Sequence, residues 1–185
     1  MKAIPLPLDP ELAAALRAGD EVEFTGTVLT GRDQACARLF ALLAAGQPLP
    51  VDLSGQLIYF VGPSPARPGA VVGSAGPTTS GRMNTFMPAL LKAGLRGFIG
   101  KGYLNQEVKD ALVRHRTAYF GAIGGTGALL AQCIEEARVV AFPELLSEAI
   151  HVMRFRNFPA VVLNDAQGGD LYQQATIGTG SGRQL

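Results

Sequence analysis

Three cations and one run of hydroxyls stand out in the 185-residue sequence by the company they keep. Arg32, in Thr30-Gly31-Arg32-Asp33, and Arg82, closing Gly76-Pro77-Thr78-Thr79-Ser80-Gly81-Arg82, both follow a glycine and both stand where a helix is expected to start. A helix N-terminus is electropositive, so a cation there is unfavourable by about 0.3 to 1 kcal/mol. Two cations so placed point to an anionic ligand, because helix-start amides and a guanidinium fork together make a site for a carboxylate or phosphate. Arg32 has an ordinary alternative in pairing with its neighbour Asp33 or with solvent. In the second loop Gly76 and Gly81 permit positive φ, and Thr78, Thr79 and Ser80 set three hydroxyls beside backbone amides. That is the composition of a ligand loop, or of a Ser/Thr-capped turn, and it lacks the GxxxxGK[ST] order of a P-loop. Lys101 lies between Gly100 and Gly102 after the apolar run Gly-Phe-Ile-Gly, so no adjacent side chain shields its ammonium. Such a point charge suits a carboxylate or enolate, or simply a solvated turn. Gly124-Gly125-Thr126-Gly127 is a short glycine run of low specificity. His115 and His151 have no metal-ligand spacing and read as structural, and Glu144 and Glu148 read as a solvated face or cap.

These residues need a scaffold, and the periodicity supplies one. Asp9-Pro10 caps a helix that stops by Gly19, and Glu21 to Leu29 alternates as a half-buried strand. Ala35, Leu39, Leu42 and Leu43 then mark a helix that ends at Gly46. Short buried strands are expected at Gln56 to Val61, Ala70 to Ala75, Gly97 to Gly100 and Tyr119 to Ile123. Further strands are expected at Ala137 to Phe142, His151 to Phe155 and Ala160 to Leu163. Helices are expected at Met83 to Ala93, Gln106 to Arg116 with Asn105 as cap, and Ala128 to Gln132. Strands alternating with helices imply an α/β layer architecture with a mixed or parallel sheet, in which ligands sit beyond the carboxyl ends of strands. Residues 1–172 read as a single domain, and 173–185, without periodicity, as a flexible tail.

The composition narrows the function classes. Sixteen Lys+Arg against 15 Asp+Glu give a net charge of +1, and no basic run exists to neutralise phosphates, so nucleic acid is not the expected partner. No apolar run approaches the ~18 residues of a membrane span. The N-terminus, Met-Lys-Ala-Ile-Pro-Leu-Pro, has no signal h-region, so a cytoplasmic location is expected. Cys36 and Cys133 are the only cysteines, far apart and without CxxC spacing, which leaves no disulfide framework, no zinc knuckle and no self-contained iron-sulfur site; no metal ligands are expected in this chain.

Taken in order, "GTVLTGRDQACARL", "SAGPTTSGRMNTFMPALL", "GKG", "YFGAIGGTGALLA", "FPELLSEAI" and "FPAVVLNDAQGGDLY" form a specific pattern. The chain resembles the beta subunit of class I iron-sulfur hydro-lyases, the fumarate hydratase and L(+)-tartrate dehydratase group, equivalent to the C-terminal domain of single-chain class I fumarases. The resemblance runs from about Gly19 to Tyr172. It implies a swivelling β/β/α domain, with a mixed sheet layered with helices. It also implies reversible hydration of a four-carbon dicarboxylate, fumarate/malate or L-tartrate, by a subunit inactive alone. In that family a separate alpha subunit or N-terminal domain binds a [4Fe-4S] cluster through three cysteines, so the implied partner is an alpha subunit in a hetero-oligomer such as α2β2. The family's functional positions fall on Arg32, Thr78, Arg82 and Lys101. Thr78, Arg82 and Lys101 are then the expected catalytic groups, and Arg32, Thr79, Arg82 and Lys101 the expected substrate-binding ones. Cys36, His151 and Tyr103 depart from the family pattern, the first two standing where a histidine and an aromatic residue are common.

The chemistry accounts for these residue types. Removing a proton beside a carboxylate creates a doubly charged aci-carboxylate, which is reachable only among preorganised cations. Thr78, as a proton shuttle, would need activation, since an ordinary hydroxyl is a poor base. Two other readings compete: a non-catalytic carboxylate-binding or assembly module that keeps the fold, and a phosphate-binding α/β protein, which the missing phosphate motif disfavours.

Overall fold

The computed structural model describes residues 1–122 and 126–179. Seven strands, β1 (Lys2–Pro5), β2 (Glu21–Thr30), β3 (Leu57–Tyr59), β4 (Gly97–Gly100), β5 (Ala118–Gly121), β6 (Ile134–Ala141) and β7 (Ile150–Asn164), form one mixed sheet ordered β1-β2-β3-β4-β5-β7-β6. β2, β3, β4 and β5 run parallel, so their carboxyl ends lie at one edge. β7 runs antiparallel to β5 and also pairs back onto β2, which closes β2, β3, β4, β5 and β7 into a ring. β1 and β6 flank it, and the outer strand β6 carries Glu135, Glu136 and Arg138, charges that discourage edge pairing.

β3 to β5 are buried on both faces, as their unbroken apolar sequence requires. Alternate residues serve two cores. Leu57, Tyr59, Ile99, Ala118 and Phe120 point into the ring with Phe24, Phe155 and Phe158. Ile58, Phe60, Phe98 and Tyr119 point outward and pack beneath α2 (Asp33–Ala44), α3 (Met87–Lys92) and α4 (Gln106–Arg114). Asp9 caps α1 (Pro10–Ala15) by accepting from the amides of Glu11 and Leu12 at 2.9 and 3.0 Å, and Asn105 caps α4 through Val108 N at 3.0 Å, both as their sequences predict.

Several elements differ from the expectation. Ala70 to Ala75 is not a strand: residues 64–74 form a loop pinched at its base, with Ser64 N and Gly73 N bonded to Ser74 O and Ser64 O at 3.0 Å each. The helix expected at Met83 begins only at Met87, because Ser80–Met83 is a tight 3-10 turn and Pro88 favours the first turn of the α-helix that follows. The two expected strands at 151–155 and 160–163 are one strand, β7, which continues through Asn157, where a φ of 49° coincides with a bulge in its pairing with β2. β1 and α6 (Leu171–Thr179) were not foreseen, and α6 occupies residues assigned to the flexible tail. Asp170 starts it, accepting from Tyr172 N at 2.9 Å and held by Lys109 Nζ at 2.6 Å. Of the strand expected at Tyr119 to Ile123, β5 covers the part up to Gly121; Ile123, the glycine pair Gly124-Gly125 and residues 180–185 lie outside the described residues. Among the described residues no helix is long and apolar enough to cross a membrane.

Candidate functional site

The loops that leave the carboxyl ends of β2, β3 and β4 carry the residues singled out by type. β2 ends at Thr30, and Gly31-Arg32 leads straight into α2, with Arg32 in the N-cap position and an extended backbone. After β3 the chain makes its excursion through the 64–74 loop and comes back beside its start, where Thr78 N donates to Phe60 O at 2.7 Å. β4 runs into Lys101, which bridges Thr79 in parallel fashion, with Ser80 N donating to Lys101 O at 2.9 Å. Thr78, Thr79, Arg82 and Lys101 therefore share one edge of the molecule.

Two close approaches fix that edge. Ser80 is fully buried, and its Oγ lies 2.9 Å from the phenol oxygen of Tyr119, which is also 3.1 Å from Gly102 O. The carbonyl can only accept, so the phenol donates to Gly102 and the two hydroxyls bond each other. Burial pushes the Tyr119 pKa upward and keeps this link neutral. Gly100 makes room for it, since a Cβ there would lie less than 3.0 Å from Ser80 Oγ. The second close approach is that of Arg32 to Gly62, where an added Cβ would fall 2.6 Å from Arg32 Nη1 and 3.0 Å from its Cδ.

Arg32 does not pair with Asp33. Its Nη2 lies 3.7 Å from Glu148 Oε1, and its buried Nε has no acceptor among the described residues. Asp33 instead faces Arg82, with Oδ1 3.5 Å from Nε, which ties the first loop to the second. This second pair is solvent-exposed, and such pairs contribute on the order of 1 kcal/mol or less. Arg82 sits in the 3-10 turn rather than at an α-helix start, so the dipole argument for its placement is corrected: its position comes from the turn and from Asp33. Lys101 is exposed and, among the described residues, has no ion-pair partner. Two clefts, of about 550 and 650 Å³, lie elsewhere, against the 64–74 loop, and none of these cations lines them.

The residues that depart from the family pattern do not share one place. Cys36 is fully buried under α2, where burial, with Asp33 and Glu148 adding, pushes its thiol up to about 12. His151 is tied to structure: its N–H donates to Thr30 Oγ1 at 2.9 Å, and its Nδ1 lies 3.0 Å from Ala149 O, locking the end of β2 to the start of β7. Tyr103 is exposed beside Lys101, its ring 4.3 Å from that of Tyr172. Ser80, one of the three hydroxyls of the loop, supports the site from below, whereas Tyr119 and Glu148, the latter read only as a solvated face or cap, shape it without having been singled out for it. No spacing links them to Arg32 or Lys101, because they arrive from separate strands and turns.

The donor set does not fit an iron-sulfur cluster. Of the two cysteines Cys36 is buried and Cys133 half-buried, and among the described residues no group of three or more His, Cys, Asp or Glu could hold a metal ion. What the edge offers is three cations, two of them open to solvent, on the same edge as the hydroxyls of Thr78 and Thr79: groups whose chemistry suits an anion.

Comparison with known proteins gives the family. A family model described as "Fumarase C-terminus" matches residues 7–175. The chain is 41% identical over 155 residues to "Fumarate hydratase class I, anaerobic" of Escherichia coli (strain K12), a match that covers 83% of this chain and 28% of that protein. It is 36% identical over 172 residues to "Putative fumarate hydratase class I" of Geobacillus stearothermophilus, covering 90% and 32%. It is 32% identical over 165 residues to "Putative L(+)-tartrate dehydratase subunit beta" of Methanocaldococcus jannaschii, and there the match covers 86% of this chain and 85% of the relative. The chain thus spans under a third of the length of the fumarate hydratases it matches, and most of the tartrate dehydratase subunit.

Proposed function

We propose a function from one premise: the chain belongs to the fumarase C-terminus family. It acts as the beta subunit of a class I hydro-lyase that hydrates and dehydrates a four-carbon dicarboxylate, fumarate/malate or L-tartrate, in the cytoplasm. The observation that carries this reading is the meeting of Arg32, Thr78, Thr79, Arg82 and Lys101 at the carboxyl edge of β2, β3 and β4. The match to a subunit of nearly its own length supports a partner alpha chain, in an assembly such as α2β2. The [4Fe-4S] cluster is assigned to that partner, since the thiols here do not fit it.

In this role Arg32 and Arg82 take the two substrate carboxylates, each by a planar fork that sets orientation as well as charge. Lys101 adds a third positive charge where the aci-carboxylate develops, and Thr79 lines the same edge. Thr78 is the hydroxyl placed for proton transfer, its backbone fixed by the bond from its own N–H to Phe60 O. The test is copurification and anaerobic reconstitution with a three-cysteine alpha chain, followed by assay on fumarate, malate, L-tartrate and methylated homologues. Turnover of one dicarboxylate by the pair, and none by either chain alone, is the expected result. Turnover by this chain alone, or a reconstituted pair inert on the whole panel, overturns the reading.

A further inference from the structure

Glu148 ends the 3-10 segment Pro143–Glu148, just before β7, and its side chain turns inward against the start of α2. Its two oxygens do different things. Oε2 accepts from Gln34 N at 3.1 Å, one of the helix-start amides that an N-cap side chain normally satisfies. Arg32, which occupies the N-cap position, gives no side-chain bond of that kind, so α2 is capped from a distant part of the chain. Oε1 faces Arg32 Nη2 at 3.7 Å.

That separation is well beyond the ~2.8 Å of a strong charge-assisted fork. The carboxylate therefore attracts the guanidinium without saturating it. On its other side Arg32 rests on Gly62, and Ser147 O, the carbonyl just before Glu148, lies 3.3 Å from the point where a Gly62 Cβ would sit. The guanidinium is thus confined between the Gly62 backbone and Glu148. Its Nε is buried with no acceptor among the described residues, an arrangement that leaves donor capacity for a ligand.

We infer that Glu148 is the positioning residue for Arg32: it holds the guanidinium at the carboxyl edge of β2 and at the same time caps α2, while leaving the fork free for a substrate carboxylate. The inference rests on the function proposed above for Arg32, and it adds a residue to which no role is attached there. It makes a prediction opposite in sign to simple electrostatics. Removing a negative charge beside an anion site should tighten dianion binding if charge alone matters. If position matters, the loss of Glu148's charge loosens Arg32 and weakens catalysis.

Glu148→Gln separates the two, because the amide oxygen can still cap Gln34 N while the attraction to Arg32 is lost. In the reconstituted two-chain enzyme, kcat/KM for the dicarboxylate should fall about 10- to 100-fold, the range expected when a binding group is misplaced by about 1 Å. In an Arg32→Ala background the same change should have little further effect, since there is no guanidinium left to hold. An unchanged or improved KM with full kcat, or equal losses with and without Arg32, would overturn the positioning role. A second measurement needs no activity and keeps the inference separate from the proposed function. In the isolated, 15N-labelled chain, the Arg32 Nε–H resonance, assigned by its disappearance in Arg32→Lys, should be protected from solvent exchange. Glu148→Gln should raise that exchange rate at least severalfold while the Gln34 amide keeps its protection. Equal protection of Nε–H in both proteins refutes the inference even if the enzyme reading stands. If the pair has no activity but the exchange result holds, the function reading fails and the positioning of Arg32 by Glu148 survives.

Discussion

Gly100→Ala is the most exacting probe of the site's foundation, because one methyl group tests whether the loop after β3 and the end of β4 are built as a unit. An alanine Cβ would stand less than 3.0 Å from Ser80 Oγ, 3.1 Å from Phe60 Cδ2 and 3.4 Å from Ser80 Cβ. Phe60 is stacked on Phe98 with ring centroids 5.2 Å apart and has no room to retreat, so Ser80 must move. Overpacking of this kind costs about 1 to 3 kcal/mol. Moving Ser80 also breaks its bond to Tyr119 and strands a buried hydroxyl, which adds about 1 to 3 kcal/mol. The expected loss in urea unfolding of the chain is therefore roughly 2 to 6 kcal/mol, a large share of a typical domain's stability. Ser80→Ala removes the offending oxygen and leaves the 3.4 Å contact to its Cβ, an ordinary van der Waals distance, and the tighter 3.1 Å contact to Phe60 Cδ2. The double variant should then recover at least ~1 kcal/mol relative to the sum of the single losses. In the reconstituted enzyme Gly100→Ala should also depress turnover, since Ser80 N–H···O=C Lys101 is the bond that sets Thr79 beside Lys101. A Gly100→Ala loss below ~0.5 kcal/mol, or strictly additive losses in the double variant, would refute the packing argument.

Arg82→Lys keeps the charge and loses the fork, so kcat and kcat/KM should fall together by about 2 to 4 kcal/mol, with thermal stability unchanged because the side chain is half exposed; near-normal turnover would remove Arg82 from the catalytic set. In native protein near pH 8 a thiol reagent should label Cys133 alone, because Cys36 is fully buried with its thiol pushed up to about 12, and both should react in denaturant; equal native rates would contradict the buried position of Cys36. Burial raises the Asp170 pKa, but the bond from Lys109, the Gln173 amide and Asn164 outweigh it, and the net shift is downward. A depressed folded pKa gives stability that is present above the unfolded value of about 3.9 and lost as pH falls through the folded one, so Asp170→Asn should flatten the acid limb of a stability–pH profile; an unaltered limb would reject the assignment.

The legible part of this protein was the part written in local pattern. β2, α2 and α4, and the caps of α1 and α4, could be read because one face of each element is buried and the cap residues stand at its start. The candidate site residues drew attention because a glycine precedes each cation and polar residues crowd where a turn alone needs none. What escaped depends on partners distant in sequence. β1 is four residues long and owes its existence to the neighbouring β2 edge, and β7 hides its continuity behind Asn157 and Pro159. The apolar run at Ala70 to Ala75 imitates a strand, yet the hydrogen bonds between Ser64, Gly73 and Ser74 turn its backbone on itself. Glu148 was invisible as a site residue for a related reason, since the residue it touches lies 116 positions earlier in the chain.

The same structure explains why the cations are arranged in a gradient of constraint. Arg32 is confined by Gly62 and Glu148 with its side chain only a quarter exposed, whereas Arg82 is half exposed and Lys101 stands open on the surface. In bulk water two unit charges 4 Å apart interact by about 1 kcal/mol, and under a partly desolvating cover the same pair reaches about 4 kcal/mol. Under the proposed function, three cations aimed at a dianion would do little electrostatic work on this chain alone and much more beneath a second chain that excludes water. A group that is buried early can be held by a fixed counter-charge. A group that becomes buried only on assembly has to be left without one, or its charge would already be neutralised before substrate arrived. On that reading Glu148 serves the inner arginine, while among the described residues Lys101 has no ion-pair partner and Arg82 only the loose, exposed contact with Asp33.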